Sequence, residues 1–393
     1  MDRGDGKPGA VIVGGSFHSL AAARNLAKHG VPVCVLDSGV CVARFSRYVR
    51  HFLRCPSADD EARLIEFLLQ IGQDIDMNNW VVFPSTDDSV RILAQHWDRL
   101  SERCILTTQP WSVIKFVYDK RLTHQLAVKL GVPVPETHNP SSSDELLSLS
   151  LDFPVVLKPA ISKRFMAATK KKAYRADDRQ QLIDFYETMA AVIDPSEILI
   201  QEFIPGGAES LFSFVGFFKD GAPVAGFSAR RPRQHPMEFG RASTYVEVVN
   251  VAELETLATR LLKGIAYSGL AEVEFMYDSK HARFELLEVN PRIWGWHSIA
   301  VRAGLDLPYL AYADAIGQKV SAGRLRDNVK WIRLVTDVPT AVMEILGGRL
   351  TVRKYLASMS GDTEFAVLSL DDPLPFIADL LLAPYNYVKG RGF

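Results

Sequence analysis

The chain has 393 residues, 48% of them apolar and 23% charged, and a formal net charge of -1. That length accommodates two or three packed units, and the near balance of acids and bases argues against nucleic acid or an anionic surface as a global partner. The opening MDRGDGKPGA lacks the apolar core of a signal peptide, and no apolar run approaches the ~20 residues that span a bilayer, so a cytoplasmic α/β protein without integral membrane association is expected.

The first third alternates strand and helix. Ala10–Val13 reads as a short buried strand, Gly14-Gly15 as a turn, Ser19–Lys28 as an alanine-rich helix and Val31–Leu36 as a second strand with Asp37 at its tip. A β-α-β opening of this kind invites a dinucleotide reading, but GGSFHSL is not G-x-G-x-x-G, and structural use of the turn is the better account. A helix over Asp59–Ile71, a strand Trp80–Phe83, a helix capped by Ser85, Thr86 or Asp87 and running through Leu100, and a strand Cys104–Leu106 complete one doubly wound unit of about 115 residues. The four cysteines, Cys34, Cys41, Cys55 and Cys104, lack metal-type spacing and are expected as reduced, mostly buried thiols.

Lys115–Val132 reads as a basic helical segment stopped by Gly131 and Pro133. FPVVLKP is a buried strand ending in Lys158, and Ser162–Arg175 after it is a lysine-rich run that either forms a solvated face or meets phosphate. ILIQEFI (Ile198–Ile204) is a strand broken by Pro205-Gly206-Gly207, and two further strands, Leu211–Phe218 and Pro223–Ala229, follow. Then comes ARRPRQHPMEFGRAST, in which Arg230, Arg231, Arg233 and Arg241 are interrupted by Pro232, Pro236 and Gly240. No regular helix tolerates that punctuation, so a mobile basic loop closing over an anionic substrate is expected. Val251–Ala266 is an amphipathic helix, Val329–Val335 a strand, and the apolar, then basic, tail PFIADLLLAPYNYVKGRGF is expected to pack on the core.

The centre of the reading is GLAEVEFMYDSKHARFELLEVNPRIWGW, two strands (Ala271–Tyr277 and Arg283–Val289) joined by a polar turn. Alternation puts Glu272, Glu274 and Met276 on one face, and Leu286, Glu288 and Asn290 on one face of the partner. Closure about His281 sets Glu274 opposite Glu288 and Glu272 opposite Asn290. Opposed carboxylates repel unless a cation lies between them, and carboxylates with an amide oxygen suit Mg²⁺ that also grips phosphate. Arg292 follows as a planar fork for a phosphoryl group. The plain alternative is an edge hairpin with a solvated acidic face.

Taken in order, the lysine of Asp119-Lys120, the lysine ending FPVVLKP, the hinge IQEFIPGGAE, then VEF and LLEVNPR make the chain resemble the ATP-grasp superfamily over nearly its whole length. GGSFHSLAAARNLAKHGVPV, the arginine-rich segment and DDPLP resemble the group of carboxylate–amine ligases that includes D-aspartate ligase. The resemblance implies an α/β pre-ATP-grasp domain (1–115), a two-lobed α+β ATP-grasp domain (116–317, lobes about 116–196 and 197–317) and a C-terminal extension (318–393). It implies that Lys120 and Lys158, with Lys172, hold ATP phosphates, and that Gln201, Glu202, Phe203 and Ile204 line the adenine, with Glu209 on the ribose. It further implies that Glu274, Glu288 and Asn290 carry Mg²⁺ (or Mn²⁺), that Arg292 steadies the transferring phosphoryl group, and that Arg230, Arg231 and Arg233 face a carboxylate substrate. One departure is the absence of glycine from AISKRFMAATKKKAYRA, where many members have a Gly-rich loop; Lys170, Lys171 or Lys172 would then supply charge in its place. The implied activity is ATP-dependent ligation of small-molecule carboxylate and amine substrates, releasing ADP and phosphate. Rival readings are an ATP-binding regulatory or scaffold protein without turnover and an oxidoreductase using the first β-α-β unit. Glu272 and His297 are candidates for the base that deprotonates the amine, and homodimeric assembly is left open.

Overall fold

The computed structural model describes residues 7–74, 79–240 and 242–389, so Arg241 and the final Arg391 lie outside the described residues. The first unit is a five-stranded sheet of β1 (Ala10–Val13), β2 (Val33–Asp37), β3 (His51–Arg54), β4 (Val81–Pro84) and β5 (Ile105–Leu106), ordered β3-β2-β1-β4-β5 and parallel throughout. Strands such as AVIV and VCVLD are apolar nearly end to end because helices cover both faces of such a sheet. The strand order reverses between β1 and β4, which opens a crevice at their carboxyl ends. Gly14 turns there at φ 112°, and a Cβ would sit 2.3 Å from Ser85 Oγ, so only glycine fits. Across the crevice Thr86 caps the helix Asp87–Gln95 by accepting from Ser89 N–H. Asp37 accepts backbone N–H bonds from Gly15 and Gly39, the structural use of the turn.

A four-stranded sheet follows, ordered β6-β9-β7-β8, from β6 (Thr137–His138), β7 (Val155–Pro159), β8 (Tyr174–Ala176) and β9 (Ile198–Glu202). The seven-stranded sheet contains β10 (Leu211–Lys219), β11 (Ala222–His235), β12 (Ala242–Val249), β13 (Gly269–Asp278), β14 (Arg283–Asn290), β15 (Lys330–Ile332) and β16 (Thr363–Phe365), ordered β14-β13-β10-β11-β12-β15-β16. Residues beyond 317 therefore extend this sheet at the β12 edge. Free thiols occupy all four cysteine positions.

Several expectations are corrected. The basic helical segment is two helices, Trp111–Tyr118 and Lys120–Leu130, because Asp119 leaves helical geometry and caps the second by accepting from Arg121 N–H. The strand expected over Val329–Val335 ends at Ile332, and Leu334–Leu346 is helical. The arginine-rich segment is no mobile loop, since β11 runs through Arg230, Arg231 and Arg233 to His235. Its proline is accommodated by a slip: Arg230 pairs with Glu247 and Arg233 with Tyr245, so three steps on β11 match two on β12. The lysine-rich run after Lys158 contains a helix, Ser162–Thr169, ended by Lys170 in the left-handed region at φ 58°. In the hairpin, Glu274 opposes Glu288 and Glu272 opposes Asn290 as expected, but a bulge between Glu274 and Phe275 pairs Phe275 with Leu286. Leu286 thereby joins the apolar core with Phe284 and Val289 instead of sharing the face of Glu288.

Candidate active site

The hairpin gathers its acids as its register dictates, and the surrounding elements supply the charge that keeps them together. Asn290 Nδ2 donates to Glu272 (3.1 Å) and Glu274 (2.8 Å). Arg231, reaching from β11, lies 3.3 Å from Glu272 and 2.5 Å from Glu274. Glu272 also accepts from Ser213 Oγ and Trp296 Nε1, each at 3.1 Å. Glu288 is flanked by Lys120 and Lys172, both at 3.2 Å. Lys120 begins its helix directly after the Asp119 cap, and Lys172 comes from the segment between the helix Ser162–Thr169 and β8. Lys171 instead lies 4.6 Å from the Tyr174 ring centroid.

Electrostatics separate these groups. Burial works to raise the Glu288 carboxyl, but Lys172, Lys120 and Lys158 together hold it well below the usual carboxylate range. Burial, then the nearby Glu274 charge, pushes Glu272 up to about 7 against the pull of Arg231. The Lys158 side chain has no hydrogen bond or ion pair among the described residues, and burial followed by repulsion from Lys120 brings its ammonium down to about 7.

Arg292 bridges this cluster to the first sheet. Its Nε donates to Asp87 at 2.5 Å and its Nη2 to Asn290 Oδ1 at 3.0 Å. Asp87 opens the helix at the end of β4, so the crevice of the parallel sheet and the acidic hairpin form one cleft. Lys163 closes the other side, 2.8 Å from Asp59 and 3.0 Å from Asp88.

At the far end of the hairpin, Lys280 Nζ donates to Glu202 at 3.1 Å, which ties the hairpin turn to β9. Gln201 is buried and donates to Thr137 Oγ1. Phe203 donates its N–H to the Pro154 carbonyl, and its ring lies under Arg175. Ile204 is buried beside them, while Glu209 is exposed, 3.6 Å from Arg230.

Two of the arginines expected to face substrate are spent elsewhere. Arg230 binds Glu247 through two nitrogens at 2.9 and 2.6 Å. Arg233 is buried against Asp337, with both contacts at 2.9 Å, and its guanidinium lies 4.1 Å from the Tyr245 ring centroid. A buried guanidinium requires a matched carboxylate, and the slip around Pro232 leaves only Arg231 facing the hairpin acids. His297 is 1% exposed, and burial pulls its imidazole down to about 4, so it stays neutral. Asp87 is one of three candidate caps in the sequence, and the structure makes it the first residue of the helix, with Thr86 as its cap. Its signal was present: an acid directly after a parallel strand, at the reversal of strand order.

Comparison with known proteins agrees with this geometry. Residues 228–336, which span the slipped strand and the acidic hairpin, match the family described as "ATP-grasp in the biosynthetic pathway with Ter operon". The fold resembles N5-carboxyaminoimidazole synthetase from Staphylococcus aureus, with TM-score 0.61 and 17% identity over 81% of this chain and 80% of that one. The chain is similar in fold to this synthetase. The fold is likewise similar to that of L-amino acid ligase from Bacillus licheniformis, with TM-score 0.63 and 16% identity over 82% of this chain and 78% of that one. In sequence, the C-terminal section of the carbamoyl phosphate synthase large chain of Methanopyrus kandleri is 26% identical over 249 residues, 59% of this chain. The chain spans only 40% of that relative's length. Among the described residues no helix is long and apolar enough to cross a membrane.

Proposed function

We propose that the protein is an ADP-forming ligase that activates a small-molecule carboxylate as an acyl phosphate and joins it to an amine. The observation that carries this reading is the cleft in which Lys120, Lys172 and the unmatched Lys158 converge on Glu288 beside Glu274, Asn290 and Arg292. A carboxylate does not acylate an amine directly, because oxide is a poor leaving group. Transfer of the terminal phosphoryl group of ATP to the carboxylate oxygen, with ADP leaving, creates an acyl phosphate. The amine then attacks the acyl carbon, phosphate departs, and the amine's proton is lost. Such transfers depend on positioning and on neutralising charge.

In this reading Lys120, Lys158 and Lys172 hold the phosphates. Arg292, steadied by Asp87, stabilises charge on the phosphoryl group in flight. Glu274, Glu288 and the Asn290 side-chain oxygen are hard donors of the kind Mg²⁺ takes, and the ion would polarise the phosphate oxygens when bound. The stretch from Gln201 to Ile204 receives adenine, and Glu209 receives ribose. Arg231 holds Glu272 and Glu274 in register and is a positioning residue. The similar folds of a synthetase and a ligase support the reaction class. The nearer likeness to D-aspartate ligase rests on sequence motifs alone. With ATP, Mg²⁺ and a panel of carboxylates and amines, the product is expected to be ADP and phosphate. Tight ATP binding without ADP release for any pair, or release of AMP, would overturn the proposal.

A further inference from the structure

The polarity of the C-terminal helices is inverted. Seventeen large apolar side chains are exposed among the described residues, and eleven of them fall between Val338 and Leu381. On the helix Leu334–Leu346 the exposed residues Val338, Val342, Met343 and Leu346 recur at helical spacing, with Leu346 82% exposed. On Leu374–Lys389 the exposed residues include Leu374, Ile377 and Leu381, the last 76% exposed. The helix Val352–Met359 between them adds Val352 and Leu356 and buries none of its residues.

The acids of these helices point the other way. Asp337 and Asp379, 0% and 2% exposed, face inward onto Arg233 and Arg333 respectively. Glu344 is also buried and holds Arg349. The layer is thus pinned to the body by ion pairs and turns its hydrocarbon outward, the reverse of an ordinary surface helix. An apolar patch of this extent marks a surface that another body covers.

Charge identifies that body. No acid on these three helices is exposed among the described residues, whereas Arg353 and Lys354 are exposed and carry no ion pair there. Asp371, just before the last helix, is already held by Lys28 and Tyr48. A second copy would bring the same excess positive charge to the contact. Among the described residues, the exposed large side chains here are aliphatic ones and a methionine, without the aromatic anchors that enrich protein interfaces. An aliphatic face rimmed by unpaired basic residues complements an anionic lipid surface. We infer that the helices Leu334–Leu346, Val352–Met359 and Leu374–Lys389 form a peripheral docking face for an anionic membrane, with the apolar residues entering the acyl boundary and Arg353 and Lys354 meeting lipid phosphates. The helices lie on the bilayer and do not cross it, consistent with their length.

The test is co-sedimentation of the full chain with vesicles of phosphatidylcholine alone and of phosphatidylcholine mixed with phosphatidylglycerol, alongside sedimentation velocity without lipid. Binding is expected to the mixed vesicles and to weaken with salt. Leu346→Glu with Leu381→Glu should weaken it by about tenfold or more, since each change removes inserted hydrocarbon and adds a repelled charge. Arg353→Glu with Lys354→Glu should abolish the preference for the anionic mixture. All four positions are exposed, so the variants should keep the parent's melting temperature. Failure to bind mixed vesicles, or equal binding to neutral ones, overturns the inference. So does a dimer in solution that Leu346→Glu with Leu381→Glu dissociates, which would assign the face to a second copy.

Discussion

Two regions of this protein bury carboxylates, and they do so on different terms. In the C-terminal layer each acid has its own cation: Asp337 has Arg233, and Asp379 has Arg333. In the cleft the charges are shared. Arg231 serves both Glu272 and Glu274, two lysines serve Glu288, and Lys158 has no partner of its own. A closed pair is a fastening. A shared network with a surplus cation is one that an incoming polyanion can re-partition, which is why the proposed chemistry is placed in the second region and not the first.

The sharpest way to break this contrast is Glu288→Gln. It should lower ADP formation by roughly 10³-fold or more while leaving the urea midpoint nearly unchanged; a small kinetic effect would return the hairpin to the status of an acidic edge. In the closed region, Arg233→Met should cost about 3 kcal/mol by urea unfolding, because Asp337 is left buried and uncompensated. Adding Asp337→Leu should recover most of that loss with turnover intact, whereas a pair open to chemistry would lose turnover as well. Lys158 sharpens the comparison through pH. Its ammonium, lowered to about 7 by burial and Lys120, should bind ATP when protonated, so affinity should fall by up to about tenfold per pH unit above neutrality. Lys158→Arg should flatten that profile. The unfolded lysine holds its proton over the window from about 7 up to the ordinary lysine value. The unfolded state therefore binds more protons there, and Lys158's contribution to stability rises with pH across that window. The smallest effect is expected at Arg230, half exposed and already paired with Glu247: Arg230→Ala should change stability by under about 1 kcal/mol and turnover little.

Much of the cleft was legible because strands enforce a period of two. Once the turn was placed near His281, the pairing of Glu274 with Glu288 and of Glu272 with Asn290 followed. The doubly wound opening was legible too, because apolar runs alternated with helical ones. What escaped was everything that an extra residue or a tertiary partner decides. The bulge that sends Leu286 to the core adds a residue that sequence pattern does not announce. Pro232 and Pro236 looked like loop punctuation, yet proline is tolerated where the ladder is already interrupted. The inward acids of the C-terminal helices were equally hidden, because Asp337 reads as a surface residue until Arg233 is known to lie beneath it.

The slip around Pro232 has one more consequence. In an even-numbered ribbon Arg231 and Arg233 would look the same way and compete for the same acids. One surplus residue changes the parity, sending the first to the hairpin acids and the second to Asp337. Deleting Pro232 would make the two arginines neighbours on a regular strand, still facing opposite ways; matching the surplus with a residue inserted between Tyr245 and Glu247 would instead turn both to one face and leave Asp337 buried without its cation.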